Sequence, residues 1–243
     1  MMIKRIRKTG YSSCISAGPF FFKITNPCAS RSAENEYKVN QKLRSYEINT
    51  FHVLFSLFLS KKFVFVMRNY SRLITPLTDE YHLGNPNYHK IEECISKIES
   101  LPLENTEFWE SFFVPEIANA LTYLEKVNIN SLRYLSILKS LVPETAIHGD
   151  FSCDNLALIR GQIYVYDWQL ACKGPRGWDE AYYIASSTNP DRICSQLLQS
   201  KPKSLQQLIL LCSAVRLGRS IRKNGEHEER LRILQRWEDA LLL

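Results

Sequence analysis

The pattern of apolar residues changes partway along the chain, and that change limits the folds available to it. Up to Met67 the apolar residues form short runs rich in aromatic and β-branched side chains, such as Phe20–Thr25, which are typical of β-strands. From about residue 88 they recur every three or four positions, as in Ile91, Ile95 and Ile98, which is typical of α-helices. The sequence therefore predicts a small strand-rich part followed by a larger helical part.

One helix is expected within the strand-rich part. It should end near Arg44 and begin at a serine N-cap, either Ser30 or Ser32. Beyond it, two apolar runs separated by two polar residues predict a β-hairpin formed by Phe51–Leu59 and Lys62–Met67. Residues 1–67 are thus expected to contain strands, one helix and then two more strands.

The composition excludes several classes of protein. Of the 243 residues, 45% are hydrophobic and 23% are charged, which is ordinary for a globular protein and excludes a disordered or collagen-like chain. The seven cysteines show no paired spacing, so we expect reduced thiols and a cytoplasmic protein. Phe51–Leu59 is the most apolar run and is too short to span a bilayer, so no membrane partner is expected.

The net charge of +6 favours acidic ligands but does not identify one. A basic run, formed by Arg216, Arg219, Arg222 and Lys223, has helical spacing and could bind phosphate-rich partners, even RNA. No aromatic residue is interleaved with it, as a nucleic-acid site would require. We therefore expect a solvated helix face and no nucleic-acid partner, and nothing in the sequence indicates an oligomeric state.

Three oxygen-bearing side chains occur in order near the middle of the helical part. Asp150 and Asn155 lie in the stretch IHGDFSCDNL, and Asp167 ends the apolar run IYVYD. Phosphoryl transfer to a hydroxyl needs a carboxylate that accepts the hydroxyl proton, and an amide and a second carboxylate that hold Mg²⁺. A single Asp or Asn usually belongs to a turn or a helix cap. The prediction therefore depends on all three residues occurring in this order.

This ordered set resembles the family of aminoglycoside phosphotransferases and choline kinase-like small-molecule kinases, which are relatives of the protein kinases. The resemblance continues through DWQLA at 167–171, GP at 174–175 and WDEAY at 178–182. It implies an α+β, two-lobed, protein-kinase-like fold. The small β-rich lobe with one helix, residues 1–68, would bind the nucleotide, and the larger, mainly helical lobe, residues 69–243, would carry the catalytic loop and the acceptor site.

The resemblance also implies roles for the matching residues. Asp150 would be the catalytic base, Asn155 and Asp167 would bind Mg²⁺, and His148 and Asp179 would fix the catalytic loop. ATP would be the phosphate donor. The three oxygen-bearing side chains are expected to converge on one divalent ion in the crevice between the lobes.

A kinase site also needs a cation on the nucleotide phosphates, paired with a carboxylate. Lys23 lies in the otherwise apolar strand FFFKI, and a buried ammonium needs a partner. Glu36 on the expected helix is the best candidate, because the resemblance places a Glu seven residues before a Leu, and Glu34 is the alternative. The simpler interpretation is that Lys23 extends its head to solvent from a strand end.

The phosphate-covering loop matches the family least. A glycine-rich turn should precede the lysine strand, because backbone N–H groups must approach phosphate oxygens closely. This chain has only Gly10 and Tyr11 followed by Ser12 and Ser13, so we expect the two serines to donate hydrogen bonds instead. The connector at Met67 would offer backbone groups to adenine, as the resemblance implies.

The leading hypothesis is an ATP- and Mg²⁺-dependent phosphotransferase whose acceptor is a hydroxyl of a sugar, an amino alcohol or an aminoglycoside-like molecule. Acidic and aromatic residues near Trp109 and Trp237 suit a cationic acceptor, but also an ordinary amphipathic helix. Two alternatives keep the fold: a catalytically weak nucleotide-binding pseudokinase or regulatory module, and a protein kinase. A third alternative is a thiol nucleophile at Cys153. Its distance in sequence from His148 does not establish the geometry that a Cys–His pair needs.

Overall fold

The computed structural model describes residues 3–8, 12–59, 62–69, 75–77, 88–186, 201–223 and 227–241. Contacts divide the chain into two compact units, which we call the sheet unit (1–77 and 154–171) and the helical unit (78–153 and 172–243). The lobes expected from the sequence are continuous segments, whereas the sheet unit also takes in residues 154–171. That the first lobe binds the nucleotide and the second binds the acceptor stays a prediction.

The sheet unit contains a five-stranded antiparallel sheet with the strand order β1-β2-β3-β5-β4. Its strands are β1 (Ile3–Lys8), β2 (Ser12–Ala17), β3 (Phe20–Thr25), β4 (Val53–Leu59) and β5 (Lys62–Arg68). The predicted hairpin is present, because β4 pairs with β5 from Val53 to Leu59. Its polar turn, residues 60 and 61, lies outside the described residues.

Helix α1 (Ser30–Leu43) packs against β4 and β5 of this sheet. The expected serine cap is wrong: Ala29 occupies the N-cap position, because a 3₁₀ turn over Pro27–Ala29 runs directly into the helix. The Ser32 hydroxyl instead donates to the Ala29 carbonyl oxygen at 3.0 Å. The helix ends at Leu43, one residue before the expected end.

Residues 154–171 add a smaller antiparallel sheet to the same unit. Its strands, in the order β6-β8-β9, are β6 (Thr75–Pro76), β8 (Leu156–Ile159) and β9 (Gln162–Val165). Asn49 joins the two parts of this unit by accepting the Val165 N–H at 2.9 Å. The β8–β9 hairpin is therefore attached to the segment that precedes β4.

The helical unit contains the remaining elements. Its helices are α2 (Tyr88–Glu99), α3 (Thr106–Phe108), α4 (Val114–Thr122), α5 (Leu132–Ser140), α6 (Trp178–Ala185), α7 (Lys203–Arg222) and α8 (Glu228–Leu241). A π-helical turn over Trp109–Phe113 joins α3 to α4. Two short antiparallel strands, β7 (Thr145–Ile147) and β10 (Cys172–Gly174), complete it.

Helix α7 is the centre of the helical unit, and it contacts α4, α5, α6 and α8. Its residues from Leu208 to Val215 are all buried, so apolar side chains surround it on every side. Gly218 allows the close approach of α4, since a Cβ at this position would lie 2.0 Å from the Ala120 carbonyl oxygen. Across the part of the chain that the structure describes, none of the helices has the length and apolarity needed to cross a membrane.

Candidate active site

The β8–β9 hairpin brings Asn155 and Asp167 to the same end. Leu156 pairs with Val165 in the hairpin, and the Tyr166 N–H donates to the Asn155 carbonyl oxygen at 3.1 Å. Asp167 follows with φ 67° and ψ 56°, a left-handed conformation that Asp tolerates better than most residues. An amide and a carboxylate, both hard oxygen ligands of the kind that Mg²⁺ prefers, therefore lie at one hairpin end.

The residues after Asp167 are held by two side chains from elsewhere in the sheet unit. The Trp168 indole N–H donates to the Thr50 hydroxyl oxygen at 2.9 Å, and the Trp168 side chain is fully buried. The Asn35 amide of α1 donates to the Ala171 carbonyl oxygen at 2.7 Å. Asp167 thus leads into a turn anchored to both the sheet and the helix.

Lys23 forms the ion pair that the sequence predicts. Strand alternation puts Lys23 on the same face of β3 as Phe21, which packs on the core, and its Nζ lies 2.8 Å from Glu36 Oε2 and 3.0 Å from Oε1. The same Nζ lies 2.7 Å from Asp167 Oδ1. The alternative partner, Glu34, instead pairs with Lys38 at 2.7 Å, where both side chains are exposed.

The two carboxylates keep Lys23 charged. Burial alone would lower its pKa, but the negative charges of Asp167 and Glu36 outweigh burial and raise the pKa above its usual value. The Lys23 and Glu36 side chains are 8% and 5% exposed, whereas that of Asp167 is 39% exposed. The result is a fixed ammonium beside a carboxylate that remains accessible.

Ser12 and Ser13 do not form the expected turn. They belong to β2, where they pair with Thr25 and Ile24 of β3, because the β2–β3 hairpin stays in register from Ser12 to Ala17. The preceding Gly10 and Tyr11 lie outside the described residues. Hydrogen bonding from the two serines to phosphate stays a prediction.

Met67 lies within β5 and not in a connector after it. It pairs with Phe21 on one side and Val53 on the other, and its side chain belongs to the buried core of the sheet. Just after β5, the Asn69 N–H donates to the Pro19 carbonyl oxygen at 2.8 Å. A backbone contact from Met67 to adenine stays a prediction.

In the helical unit, Asp179 holds the HGD segment. It lies in the first turn of α6, and its carboxylate accepts the His148 N–H at 2.6 Å and the Gly149 N–H at 2.9 Å. The Trp178 indole N–H also donates to the Gly149 carbonyl oxygen, at 3.3 Å. Gly149 has φ 84°, a conformation that glycine adopts at little cost.

Burial dominates the ionisation of Asp179. It raises the pKa of this carboxyl to about 7, although the two backbone N–H donors oppose that shift. His148, whose side chain is also fully buried, accepts the Asp150 N–H through Nδ1 at 3.3 Å. Both residues thus contact the loop backbone, in keeping with the positioning role that the resemblance implies.

Asp150 contacts an arginine whose side chain is largely enclosed. Its Oδ1 accepts a hydrogen bond from Arg219 Nη1 of α7 at 3.1 Å, and its carboxylate also accepts one from the Tyr182 hydroxyl of α6. The same Arg219 nitrogen donates to the Tyr182 oxygen at 2.8 Å. Burial alone would raise the pKa of Asp150, but the Arg219 guanidinium, with the Tyr182 hydrogen bond, holds it below its usual value.

The sequence interpretation missed this network. The basic run is not a solvated face, since the side chains of Arg219 and Arg222 are only 13% and 15% exposed and pair with Asp150 and Glu116. The spacing of the arginines was the available signal, but the carboxylates that meet them are distant in the sequence. Trp109 and Trp237 also prove to be buried core residues, so neither offers a ring to an acceptor.

Asp150 belongs to the helical unit, whereas Asn155 and Asp167 belong to the sheet unit. Their convergence on one divalent ion stays a prediction. Among the described residues, no group of three or more His, Cys, Asp or Glu side chains forms a metal cluster. The oxygen donors at the hairpin end nevertheless fit a magnesium ion, which commonly takes one or two protein carboxylates and keeps several waters.

Comparison with known proteins agrees with the motif. Residues 96–199 match the model of the Phosphotransferase enzyme family. A thermostable variant of aminoglycoside phosphotransferase APH(4)-Ia, in ternary complex with AMP-PNP and hygromycin B, has 14% identity and a TM-score of 0.65 over 99% of this chain and 93% of its own. No protein in the curated comparison set matches the sequence.

Two further solved structures have the same fold. The GDP complex of aminoglycoside 2'-phosphotransferase-IIIa has 10% identity and a TM-score of 0.62, over 100% of this chain and 93% of its own. A choline/ethanolamine kinase family protein from Mesorhizobium loti has 13% identity and a TM-score of 0.60, over 99% of this chain and 87% of its own. The predicted α+β, protein-kinase-like fold is confirmed.

The family match covers part of this chain, and the neighbours share its fold. The HGD motif and the DWQLA segment both lie within the matched residues. The resemblance read from the motifs is thus confirmed: over residues 96–199 this chain matches the phosphotransferase enzyme family, and its fold is that of aminoglycoside and choline kinases.

Proposed function

We propose that this chain transfers the γ-phosphate of ATP, with Mg²⁺, to a hydroxyl of a small molecule. The observation that carries the proposal is the contact of Lys23 with both Glu36 and Asp167, at 2.8 and 2.7 Å. A buried lysine held by one enclosed and one accessible carboxylate serves to bind phosphate beside a metal ligand. A purely structural ion pair would not need the third, accessible group.

Each residue has a defined task in this proposal. Lys23 binds phosphate oxygens of the donor, and Glu36 orients Lys23. Asn155 and Asp167 hold Mg²⁺, which when bound supplies neutralisation of the charge on the phosphates. Asp150, kept ionised at neutral pH by its lowered pKa, accepts the proton of the acceptor hydroxyl.

The reaction balances with these groups. The acceptor oxygen forms a bond to the γ-phosphorus, and the bond from that phosphorus to the oxygen bridging to the β-phosphate breaks. The hydroxyl proton passes to Asp150 and then to solvent. The products are ADP and a phosphate monoester.

The test is ADP release with a panel of hydroxylated metabolites, covering sugars, amino alcohols and aminoglycosides. Asp150→Asn is expected to lower turnover by about 10²–10⁴, the usual contribution of general acid–base catalysis. Asp154→Asn is the matched control, because Asp154 is an exposed carboxylate in the same loop. Equal turnover in Asp150→Asn and in the wild type would contradict the base assignment.

The same experiment distinguishes the two alternatives. A chain that binds an ATP analogue with Mg²⁺ yet releases no ADP with any acceptor is a pseudokinase or regulatory module. Transfer of radiolabel from γ-labelled ATP to added protein, and not to metabolites, identifies a protein kinase. The pseudokinase alternative rests on the lack of a glycine-rich sequence around Ser12 and Ser13.

A further inference from the structure

Two arginines of α7 lie near the ring of Tyr182, which hydrogen-bonds the residue proposed as the catalytic base. Arg216 and Arg219 lie one turn apart, and their guanidinium carbons are 5.4 and 5.9 Å from the centroid of the Tyr182 ring. Both belong to the helical unit, as do Tyr182 and Asp150. We call Arg216 and Arg219 the arginine pair.

The two arginines differ in their partners. Arg219 donates to Asp150 at 3.1 Å and to Tyr182 at 2.8 Å. Arg216 forms no ion pair with any residue in the described part of the chain, and its Nε is buried without a hydrogen-bond partner. The neighbouring carboxylate on α4, Glu116, pairs instead with Arg222.

The ion pairs around Asp150 leave Arg216 without a carboxylate partner in the described part of the chain. There, Asp150 is the carboxylate that forms an ion pair with Arg219, although Glu116 also acts on Arg219 and Asp179 on Asp150. Tyr182 is neutral, since burial raises its pKa to about 12.

A partly enclosed guanidinium with an unsatisfied N–H is costly unless an anion completes it. A planar guanidinium presents its N–H groups in a fork that matches a carboxylate or a phosphate group. A cationic acceptor, such as an aminoglycoside or choline, would be repelled here, since it needs acidic or aromatic neighbours. The Arg216 side chain is partly exposed, so its terminal N–H groups are the ones that can pair with an anionic group of a ligand.

We propose that the acceptor carries a carboxylate or a phosphate group in addition to its hydroxyl, and that the arginine pair binds this group beside Asp150. The proposal rests on the proposed function for the reaction itself. It narrows the acceptor to hydroxy acids and phosphorylated alcohols, including acidic sugars. Arg216 is then a residue that determines specificity, whereas Arg219 both binds the anion and orients Asp150.

The first test compares acceptors that share a hydroxylated skeleton and differ in charge. Glycerol, glycerate and glycerol 3-phosphate form one set, glucose, gluconate and glucose 6-phosphate form another, and choline is the cationic comparison. The wild type is expected to prefer the anionic members by about tenfold or more in kcat/KM, as a charge-assisted hydrogen bond predicts. Preference for glycerate over glycerol 3-phosphate, or the reverse, identifies the anionic group, and preference for choline or glycerol overturns the proposal.

The second measurement needs no turnover. Calorimetry with inorganic phosphate and with acetate as probes, at saturating ADP to occupy a nucleotide site, is made on the wild type, Arg216→Gln and Arg216→Lys. Saturable binding of one probe is expected in the wild type and at least about tenfold weaker binding in Arg216→Gln. Arg216→Lys, which keeps the charge but not the fork, should bind with intermediate strength and reports whether loss in Arg216→Gln is due to misfolding.

The control variant is Arg232→Gln, which removes one exposed arginine from α8 and should leave probe binding unchanged. The absence of saturable binding in the wild type, or equal binding in Arg216→Gln, overturns the anion site. The failures of the two proposals are distinguishable. Anion binding without ADP release on any acceptor rejects the proposed function alone, and ADP release on cationic acceptors alone rejects the anionic acceptor.

Discussion

Replacing Lys23 with Met tests the charged cluster of the sheet unit. The substitution removes the ammonium but leaves Glu36, whose side chain is 5% exposed, without its counter-ion. Breaking a buried ion pair by removing one partner costs about 3–5 kcal/mol. Asp167 is 39% exposed and solvent screens its contact with Lys23, so we expect a loss near the lower end of that range.

Two further variants separate the ion pair from a general effect of mutation. Lys23→Met combined with Glu36→Leu removes both charges, and should destabilise the fold less than Lys23→Met alone, because no buried charge remains unpaired. Lys38→Met removes an exposed partner of Glu34 and should cost only about 0.3–0.5 kcal/mol.

The assay is urea unfolding followed by circular dichroism, with the free energy of unfolding and its dependence on urea fitted for each variant. The reasoning would be refuted if Lys23→Met cost no more than Lys38→Met. It would also be refuted if the double variant were as unstable as the sum of its single changes, since coupled residues should deviate from additivity.

Three other predictions concern the helical unit. Gly218→Ala places a Cβ against the Ala120 carbonyl oxygen, so it should separate α4 from α7. We expect the free energy of unfolding to fall by about 1–3 kcal/mol, and an unchanged midpoint of urea unfolding would contradict this. Arg219→Met removes the guanidinium that lowers the pKa of Asp150, so this pKa should rise and the acid limb of the pH–rate profile should move to higher pH. An acid limb at the wild-type position would contradict the lowered pKa of Asp150. The pKa of Asp179 is about 7 in the folded state and near 4 when unfolded, so folding favours the protonated form and stability is lost as pH rises between those values. The advantage of the wild type over Asp179→Asn in unfolding free energy should therefore shrink from pH 5 to pH 7, and a constant or growing advantage would contradict it.

Features governed by local pattern could be predicted from the sequence. The aromatic strand Phe20–Thr25 has the predicted bounds, and the hairpin formed by β4 and β5 follows from two apolar runs with a polar turn. The Lys23–Glu36 pair could also be predicted, because a charge in an apolar strand demands a partner and the helix that follows supplies one.

Features decided by distant contacts could not be predicted. Arg219 has the spacing of an exposed helical charge, yet α7 is enclosed by other helices and the partner of Arg219, Asp150, is 69 residues away in the sequence. Ser12 and Ser13 have turn composition, but pairing with β3 places them in a strand. The serine cap failed for a local reason, since a 3₁₀ turn precedes the helix and moves the cap position to Ala29.

The most direct test of phosphoryl transfer by this chain requires no knowledge of the acceptor. It is a calorimetric titration with a non-hydrolysable ATP analogue, in Mg²⁺ and in EDTA, of the wild type and Asp167→Asn. We predict binding to the wild type that depends on Mg²⁺, and binding at least about tenfold weaker in Asp167→Asn, which has lost the charged metal ligand. Equal affinity in EDTA, or an Asp167→Asn variant that binds like the wild type, would contradict the account.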